Sequence, residues 1–224
     1  MQDLKHYRLL SALSDTITRK LKTPSWILLM GMSVLVTAGA HAKSVLIVGD
    51  SLSAGYGIDP QNGWVNKLQT TLDLKRKGQH QIINASVSGE TSSGGLTRLP
   101  KLLKTYKPDI VILELGGNDG LRGQPPAILQ SNLTHMIKLS QANHAKVILL
   151  GMRIPPSYGS AYTTAFSDTF KTVAKTEKVT FIPFFLEGVA GHPELIQADG
   201  IHPRTEAQTR LLQNVLPTIE KILK

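Results

Sequence analysis

Residues 109–115 (DIVILEL) and 146–151 (KVILLG) decide the fold, because each is a short, β-branched apolar run bounded by turn signals. Further short runs occur at residues 44–48 (SVLIV), 81–85 (QIINA) and 179–182 (VTFI). The stretches between them have helical apolar spacing, at residues 64–74, 96–106, 127–142, 161–176 and 206–223. Apolar strands that alternate with helices predict an α/β protein, with a parallel sheet covered on both faces in a three-layer α/β/α domain.

The composition excludes several classes of protein. The chain has 224 residues, which fits one domain and a tail, and 41% of them are hydrophobic, which argues against disorder. It has no cysteine. Disulfide scaffolds, zinc–thiolate sites, iron–sulfur clusters and thiol catalysis are therefore excluded.

The N-terminal region has the pattern of an export signal. A basic stretch with Arg19, Lys20 and Lys22 precedes an apolar run at residues 26–37, and Ala40-His41-Ala42 follows as a small-x-small cleavage site. We expect residues 1–42 to be a signal peptide cleaved after Ala42, leaving residues 43–224 as a periplasmic or secreted domain. An uncleaved anchor is the alternative, although the run is shorter than the about 20 residues of a membrane span.

The charge gives little support for nucleic-acid binding. Residues 1–42 carry five of the 25 Lys and Arg and two of the 16 Asp and Glu, so the net charge falls from +9 to +6 without them. No nucleic-acid motif accompanies the basic triplet at residues 75–77. Lys101, Lys104 and Lys107 have helical spacing, and we predict one solvated helix face; weak contact with anionic lipid headgroups is the alternative. We expect a monomer.

Polar residues follow the predicted strands, where the ligand site of a parallel sheet lies. These segments hold a hydroxyl, a glycine turn, an amide, a carboxylate and an imidazole, at residues 49–57 (GDSLSAGYG), 86–92 (SVSGETS), 116–120 (GGNDG) and 199–203 (DGIHP).

The residues fit nucleophilic catalysis by a serine, which needs a base and an orienting carboxylate. Ser51 lies at a strand-to-helix turn and is the candidate nucleophile, His202 the candidate base and Asp199 its orienter. The N–H groups of Ser51 and Gly89 and the side-chain amide of Asn118 are the candidate oxyanion donors.

Each of these residues also has a purely structural interpretation. Ser51 fits a helix N-cap, Gly89 a turn, Asn118 an Asx-turn and Asp199 a turn cap. His192 also precedes proline, but no carboxylate lies three residues before it. No spacing of histidines and carboxylates indicates a metal site, and we expect no metal and no cofactor.

Four segments together resemble the sequence blocks of the GDSL, or SGNH, hydrolases. These are Gly49-Asp50-Ser51-Leu52, Gly89 in its Ser-Gly-Glu-Thr-Ser setting, Asn118 in its Gly-Gly-Asn-Asp-Gly setting, and Asp199-Gly-Ile-His202-Pro, in the family's order. Residues 121–123, 153–159 and 183–185 are similar to the secreted arylesterase, thioesterase and lysophospholipase subfamily. The resemblance implies a flavodoxin-like five-stranded sheet, a Ser51–His202–Asp199 triad and an oxyanion hole of Ser51, Gly89 and Asn118.

The resemblance implies a serine hydrolase of carboxylic esters and acyl thioesters, with small acyl esters or lysophospholipids as substrates. Leu121, Ile154, Pro155 and Tyr158 lie on loops that flank the strand ends and are candidate substrate-binding residues. One alternative is an O-acetyl esterase acting on polysaccharide, although only 5% of residues are aromatic and able to stack on sugars. Another is a flavin- or phosphate-binding module, since the turn after the first strand is a natural anion site.

Overall fold

The computed structural model describes residues 42–224. Apart from Ala42, the predicted signal peptide lies outside these residues, so its cleavage stays a prediction. No helix among the described residues is long and apolar enough to cross a membrane.

Five parallel strands form one sheet, as predicted. The strands are β1 (Lys43–Gly49), β2 (His80–Asn84), β3 (Ile110–Glu114), β4 (Lys146–Leu150) and β5 (Thr180–Ile182), in the order β2-β1-β3-β4-β5. All five predicted runs coincide with strands to within one residue at each end. The predicted alternation of strands and helices is therefore confirmed.

Within residues 42–224, seven α-helices connect and cover the strands. Five were predicted: α2 (Trp64–Lys75), α3 (Ser92–Tyr106), α5 (Pro126–Ala142), α6 (Ser160–Glu177) and α7 (Gln208–Leu223). Two short helices that apolar spacing did not reveal are α1 (Ser51–Ala54) and α4 (Gly117–Leu121). Helix α2 packs against α7, and α5 packs against both α3 and α6, which gives the two outer layers.

The core lies between the sheet and these layers. The central strands β1 and β3 are buried almost throughout, whereas the edge strand β2 is only partly buried. Trp64 and Phe185 are fully buried and pack edge to face, with ring centroids 5.3 Å apart. This packing joins the start of α2 to the segment after β5, which leads towards His202.

The strand order reverses at β1. The chain goes from β1 to β2 on one side and then returns to β3 on the other. In such sheets a crevice opens between the loops at the carboxyl ends of the two strands that flank the reversal. Helices α1 and α4 begin directly beyond β1 and β3, so the topology brings Ser51 and Asn118 to this crevice.

One prediction about a surface face is wrong. Lys101 and Lys104 are exposed on α3, but Lys107 is its C-cap in the left-handed conformation, with φ 43°. Because this conformation ends the helix, the three lysines do not share one helix face.

Candidate active site

The turn after β1 presents the Ser51 hydroxyl. Ser51 is the first residue of α1, and the helix is capped by Asp50, whose Oδ1 accepts the backbone N–H of Leu52 at 3.0 Å. The interpretation of Ser51 as the N-cap is therefore wrong, because the preceding residue has that role. The Ser51 hydroxyl is left free to engage a residue from another part of the chain.

That residue is His202. Its Nε2 lies 2.9 Å from the Ser51 Oγ, and its Nδ1 lies 2.6 Å from Oδ2 of Asp199. If Nδ1 carries the proton, the ring donates to the carboxylate and Nε2 accepts from the hydroxyl. The structure thus brings the three candidate residues into one hydrogen-bonded line, suited to drawing a proton from Ser51.

Asp199 also organises the turn that carries the imidazole. Its Oδ1 accepts the backbone N–H groups of Ile201 at 2.9 Å and His202 at 3.0 Å. The hydrogen bond from the His202 N–H, followed by that from the His202 ring, lowers the pKa of Asp199 to about 2. The carboxylate stays ionised at neutral pH. It both caps the turn, through Oδ1, and orients the imidazole, through Oδ2.

The loop before His202 is attached to the segment after α1. The Gln197 N–H donates to the carbonyl of His202 at 2.7 Å, and its side-chain amide donates to the carbonyl of Tyr56 at 2.8 Å. Gly57 has φ +74°, and a Cβ there would lie 2.2 Å from Oε1 of Gln197. The Tyr56 ring lies 4.4 Å from the His202 ring, between centroids. Sequence reasoning missed Gln197, because an amide in a loop gives no pattern by itself.

Three potential oxyanion donors come from separate strand ends. Gly89 has φ +77°, a conformation that favours glycine, and its carbonyl accepts from Arg122 at 3.0 Å. The N–H groups of Ser51 and Gly89 donate to no acceptor within residues 42–224. The Asn118 amide donates one hydrogen to Oδ2 of Asp50 at 3.1 Å, which leaves its second N–H for a ligand.

Two buried carboxyl groups lie beneath the nucleophile turn. Asp50 is 2% exposed and Glu114, the last residue of β3, is fully buried. Oε2 of Glu114 accepts from the Ser53 hydroxyl at 2.6 Å and lies 3.4 Å from the Asp50 N–H. A Cβ on Gly49 would meet this oxygen at 2.7 Å, so glycine makes room for the carboxyl group.

Burial keeps a proton in this pair. It raises the pKa of Asp50 to about 6, and it raises the pKa of Glu114 well above its usual value, with the nearby Asp50 charge adding to the rise. We infer that Glu114 holds the proton near neutral pH while Asp50 ionises. Sequence reasoning did not assign Glu114 to the site, because it lies inside an apolar run. Asp50 was recognised only as part of the Gly49-Asp50-Ser51-Leu52 motif, with no role of its own.

The four candidate substrate-binding residues lie in two joined segments. The Tyr158 hydroxyl donates to the carbonyl of Leu121 at 2.9 Å, which joins the segment 154–158 to the end of α4. Leu121 was expected on a loop, but it is the last residue of α4. Leu121 is half-buried, and Pro155 and Tyr158 are exposed. Ile154 is only 8% exposed and lies over Gly120, so little of it is accessible to a ligand. Contact with substrate stays a prediction for all four.

The competing histidine lies apart from this line. Nδ1 of His192 is 3.2 Å from Oε1 of Glu194, so it does have a carboxylate partner, two residues after it rather than three before. Both side chains are more than half exposed, and the imidazole bonded to Ser51 is that of His202. Among the residues that the structure describes, His192 therefore has a carboxylate partner but no hydroxyl partner.

Fold and site together define a protein of the serine-hydrolase type on a three-layer α/β/α domain, with the candidate nucleophile after the first strand and the candidate base after the last. Residues 47–210 match the model of the GDSL-like lipase/acylhydrolase family. The chain belongs to this family.

Curated relatives cover most of the chain. Esterase TesA of Pseudomonas aeruginosa is 52% identical over 190 residues, 85% of this chain and 94% of the relative. An arylesterase of Vibrio mimicus is 41% identical over 84% of this chain and 94% of its own length. The thioesterase 1/protease 1/lysophospholipase L1 of Escherichia coli is 42% identical over 78% of this chain and 82% of its own.

Solved structures agree with the fold. The crystal structure of TesA matches with a TM-score of 0.78 and covers 80% of this chain and 99% of its own. The esterase EstA from Pseudoalteromonas, inhibited by monoethylphosphonate, matches with a TM-score of 0.77 at 41% identity, over 81% of this chain and 98% of its own.

Proposed function

We propose that this ester hydrolase cleaves carboxylic esters and acyl thioesters through a covalent acyl-enzyme on Ser51. The observation that carries the proposal is the line from the Ser51 Oγ to Nε2 of His202 and from Nδ1 of His202 to Asp199, at 2.9 and 2.6 Å. Hydrogen bonds of this kind activate a hydroxyl that is a weak nucleophile alone.

In the first step the Ser51 Oγ attacks the acyl carbonyl carbon and His202 takes the hydroxyl proton. The carbonyl oxygen becomes an oxyanion, which the N–H groups of Ser51 and Gly89 and the free N–H of Asn118 stabilise. The tetrahedral intermediate collapses, and His202 returns the proton to the leaving alcohol or thiol. The acyl group stays bonded to the Ser51 Oγ.

In the second step water hydrolyses the acyl-enzyme. His202 takes a proton from the water, the hydroxide attacks the acyl carbon, and the same donors hold the second oxyanion. The proton then returns to the Ser51 Oγ as the acid leaves. Asp199 stabilises the imidazolium in both steps, because its low pKa keeps it ionised.

Apolar side chains around the strand ends favour acyl substrates over acetylated glycans. Tyr56, Val87, Tyr158 and Ile201 are large and at least 39% exposed, and each lies on a segment at the carboxyl ends of the strands. An acyl chain would cover such a rim, whereas an O-acetyl group would not reach it. Lysophospholipids, with one long acyl chain, belong to the same substrate class.

Hydrolysis of p-nitrophenyl esters from acetyl to palmitoyl tests the proposal, with Ser51→Ala measured beside the wild type. We expect Ser51→Ala to lose several orders of magnitude in kcat with its melting temperature preserved. Near-normal turnover by folded Ser51→Ala would refute the acyl-enzyme. Turnover of acetyl groups on glycans alone would favour the O-acetyl esterase.

We also propose that the domain acts in the periplasm or outside the cell, supported by the export pattern of residues 1–42. Mass measurement of the protein recovered from the periplasm of an expressing bacterium tests this. A mass beginning at Lys43 is expected, and an intact N-terminus in the cytoplasm would refute it.

A further inference from the structure

The end of the domain opposite the candidate active site carries an excess of positive charge. All five parallel strands begin there, and α2, α3, α5, α6 and α7 end there. We call this end the basic edge and define it by the last four residues of these helices, the loops and terminal residue that follow, and the first residue of each strand. Hydrogen bonds link its parts, including Lys43 Nζ to the carbonyl of Leu223 at 2.8 Å and the Lys43 N–H to Gln79.

The charges on the basic edge are unevenly balanced. It holds eleven of the twenty Lys and Arg side chains of residues 43–224 but only four of the fourteen Asp and Glu. The cations are Lys43, Lys75, Arg76, Lys77, Lys104, Lys107, Lys146, Lys175, Lys178, Lys221 and Lys224. The remainder of the domain has nine cations and ten carboxyl groups, so the whole net charge of +6 arises at this end.

Most of this charge is available to a partner. Within residues 42–224 only Lys75 of the eleven cations forms an ion pair, with Glu220. All except Lys43 are exposed. Lysines in a last helical turn also complement the helix dipole, and Lys43 donates to a carbonyl at the end of α7, but Lys77 and Lys146 are outside helices and have no such explanation.

Two apolar side chains project from the same end. Leu74 is 85% exposed and precedes the basic triplet, and Tyr106 is 42% exposed and precedes Lys107. An exposed leucine and tyrosine among lysines are typical of surfaces that meet the interface of a lipid bilayer. A soluble polyanion would engage the lysines alone.

A groove in the basic edge fits an anionic headgroup. It has a volume of about 230 Å³ and is lined by Lys75, Arg76, His80 and Lys224 beside Leu72 and Leu223, with the paired Glu220 in its wall. Burial, followed by the charges of Lys43 and Arg76, lowers the pKa of His80, which shows that positive charge is concentrated beside this groove.

We propose that the basic edge is a docking surface for an anionic phospholipid membrane, with the groove receiving a lipid phosphate. The lysines contact headgroups, and Leu74 and Tyr106 enter the interface. The crevice with Ser51 lies at the other end of the strands, so a docked domain keeps its active site open to the aqueous phase.

Co-sedimentation with vesicles tests the proposal. The protein used in this assay starts at Lys43. The solved TesA chain matches 80% of this chain over 99% of its own length, so residues from Lys43 onward correspond to a complete folded relative. Starting at Lys43 removes the apolar run 26–37, so that this run cannot contribute to lipid binding. We expect binding to vesicles containing phosphatidylglycerol, loss of binding in high salt, and no binding to pure phosphatidylcholine.

Matched charge reversals locate the surface. The triple variant Arg76→Glu, Lys77→Glu, Lys104→Glu removes cations of the basic edge, and Lys67→Glu, Lys101→Glu, Lys171→Glu makes the same change at helix positions outside it. The first is expected to weaken vesicle binding at least about a hundredfold and the second far less. Both should keep the wild-type kcat on a soluble p-nitrophenyl ester.

A double variant separates a membrane from other polyanions. Leu74→Ser with Tyr106→Ser is expected to weaken vesicle binding while leaving retention on heparin unchanged. The proposal is overturned if the wild type does not bind phosphatidylglycerol vesicles, if the two triple variants lose binding equally, or if the double variant binds vesicles as tightly as wild type.

Discussion

Replacing Asp50 by asparagine should separate activity from stability. In the wild type one carboxylate oxygen accepts the Leu52 N–H and the other accepts the Asn118 amide. Asparagine has a single acceptor oxygen, so its NH₂ group must face one of these two donors. Either the nucleophile turn or the Asn118 amide loses its orientation.

The two effects have different magnitudes. Losing one oriented oxyanion donor lowers kcat by about 10²–10³. The Asp50 pKa of about 6, against 3.8 in an exposed carboxyl, means that folding disfavours the ionised group by about 3 kcal/mol at pH 8. Asp50→Asn removes this penalty but leaves one N–H unpaired, at about 1–3 kcal/mol. Its stability at pH 8 should therefore be close to that of wild type.

The pH dependence gives a second readout. Because the pKa of Asp50 is raised in the folded state, the wild type should lose stability as the pH rises from about 4 to about 6 through this group. Asp50→Asn lacks the titrating group and should lack that part of the pH dependence. Urea unfolding at pH 4, 6 and 8 measures the free energy of unfolding.

A neighbouring carboxylate provides the control. Asp119 is 1% exposed, and its oxygens accept the Ser92 N–H at 2.8 Å and the Ser92 hydroxyl at 2.5 Å, which fixes the start of α3. Asp119→Asn should lower stability by about 1–3 kcal/mol and keep kcat of the folded protein within about tenfold. A kcat for Asp50→Asn within tenfold of wild type would refute the role of Asp50 in orienting Asn118.

Three further predictions concern single residues. Glu114→Gln should keep kcat and stability close to wild type, because glutamine mimics a protonated carboxyl, whereas Glu114→Ala should lose about 1–3 kcal/mol in urea unfolding; equal losses would contradict a neutral Glu114. Gly95→Ala places a Cβ 2.3 Å from a methyl carbon of Leu115, so it should destabilise the fold by about 1–3 kcal/mol while the folded fraction stays active, and an unchanged unfolding midpoint would contradict this packing. Asp199 contributes stability above its ordinary pKa of 3.8 that disappears as the pH falls through about 2, so Asp199→Asn should flatten acid unfolding in that window, measured by circular dichroism, and should also lower kcat.

The strands and long helices were predictable because each carries its own periodicity. The edge strand β2 gave the weakest run, in line with its partial burial. Helices α1 and α4 could not be predicted from the sequence, because four or five residues are too few for apolar spacing to show. Both are set by glycines, caps and the strands that precede them.

The residues that face a ligand were easier to predict than those that support them. Ser51, His202 and Asp199 are of types that proton transfer requires, and the structure brings them together. The contact of Asp50 with Glu114 joins positions 64 residues apart, and nothing local in the sequence signals it. Likewise Ile154 follows a strand as a loop residue would, but Phe166 and Gly120 enclose it.

The separation of Ser51 from His202 along the chain has a consequence for how the protein is made. The hydrogen bond between them spans 151 residues, and four of the five strands, β2 to β5, lie between the two residues in the chain. A chain still emerging from the ribosome or the export channel therefore contains the nucleophile long before it contains the imidazole. Hydrolysis can begin only after residues 199–202 have been synthesised or translocated, so esterase activity reports the arrival of this part of the chain. Stalled chains that end before Asp199 should bind no phosphonate at Ser51, and chains extended beyond α7 should.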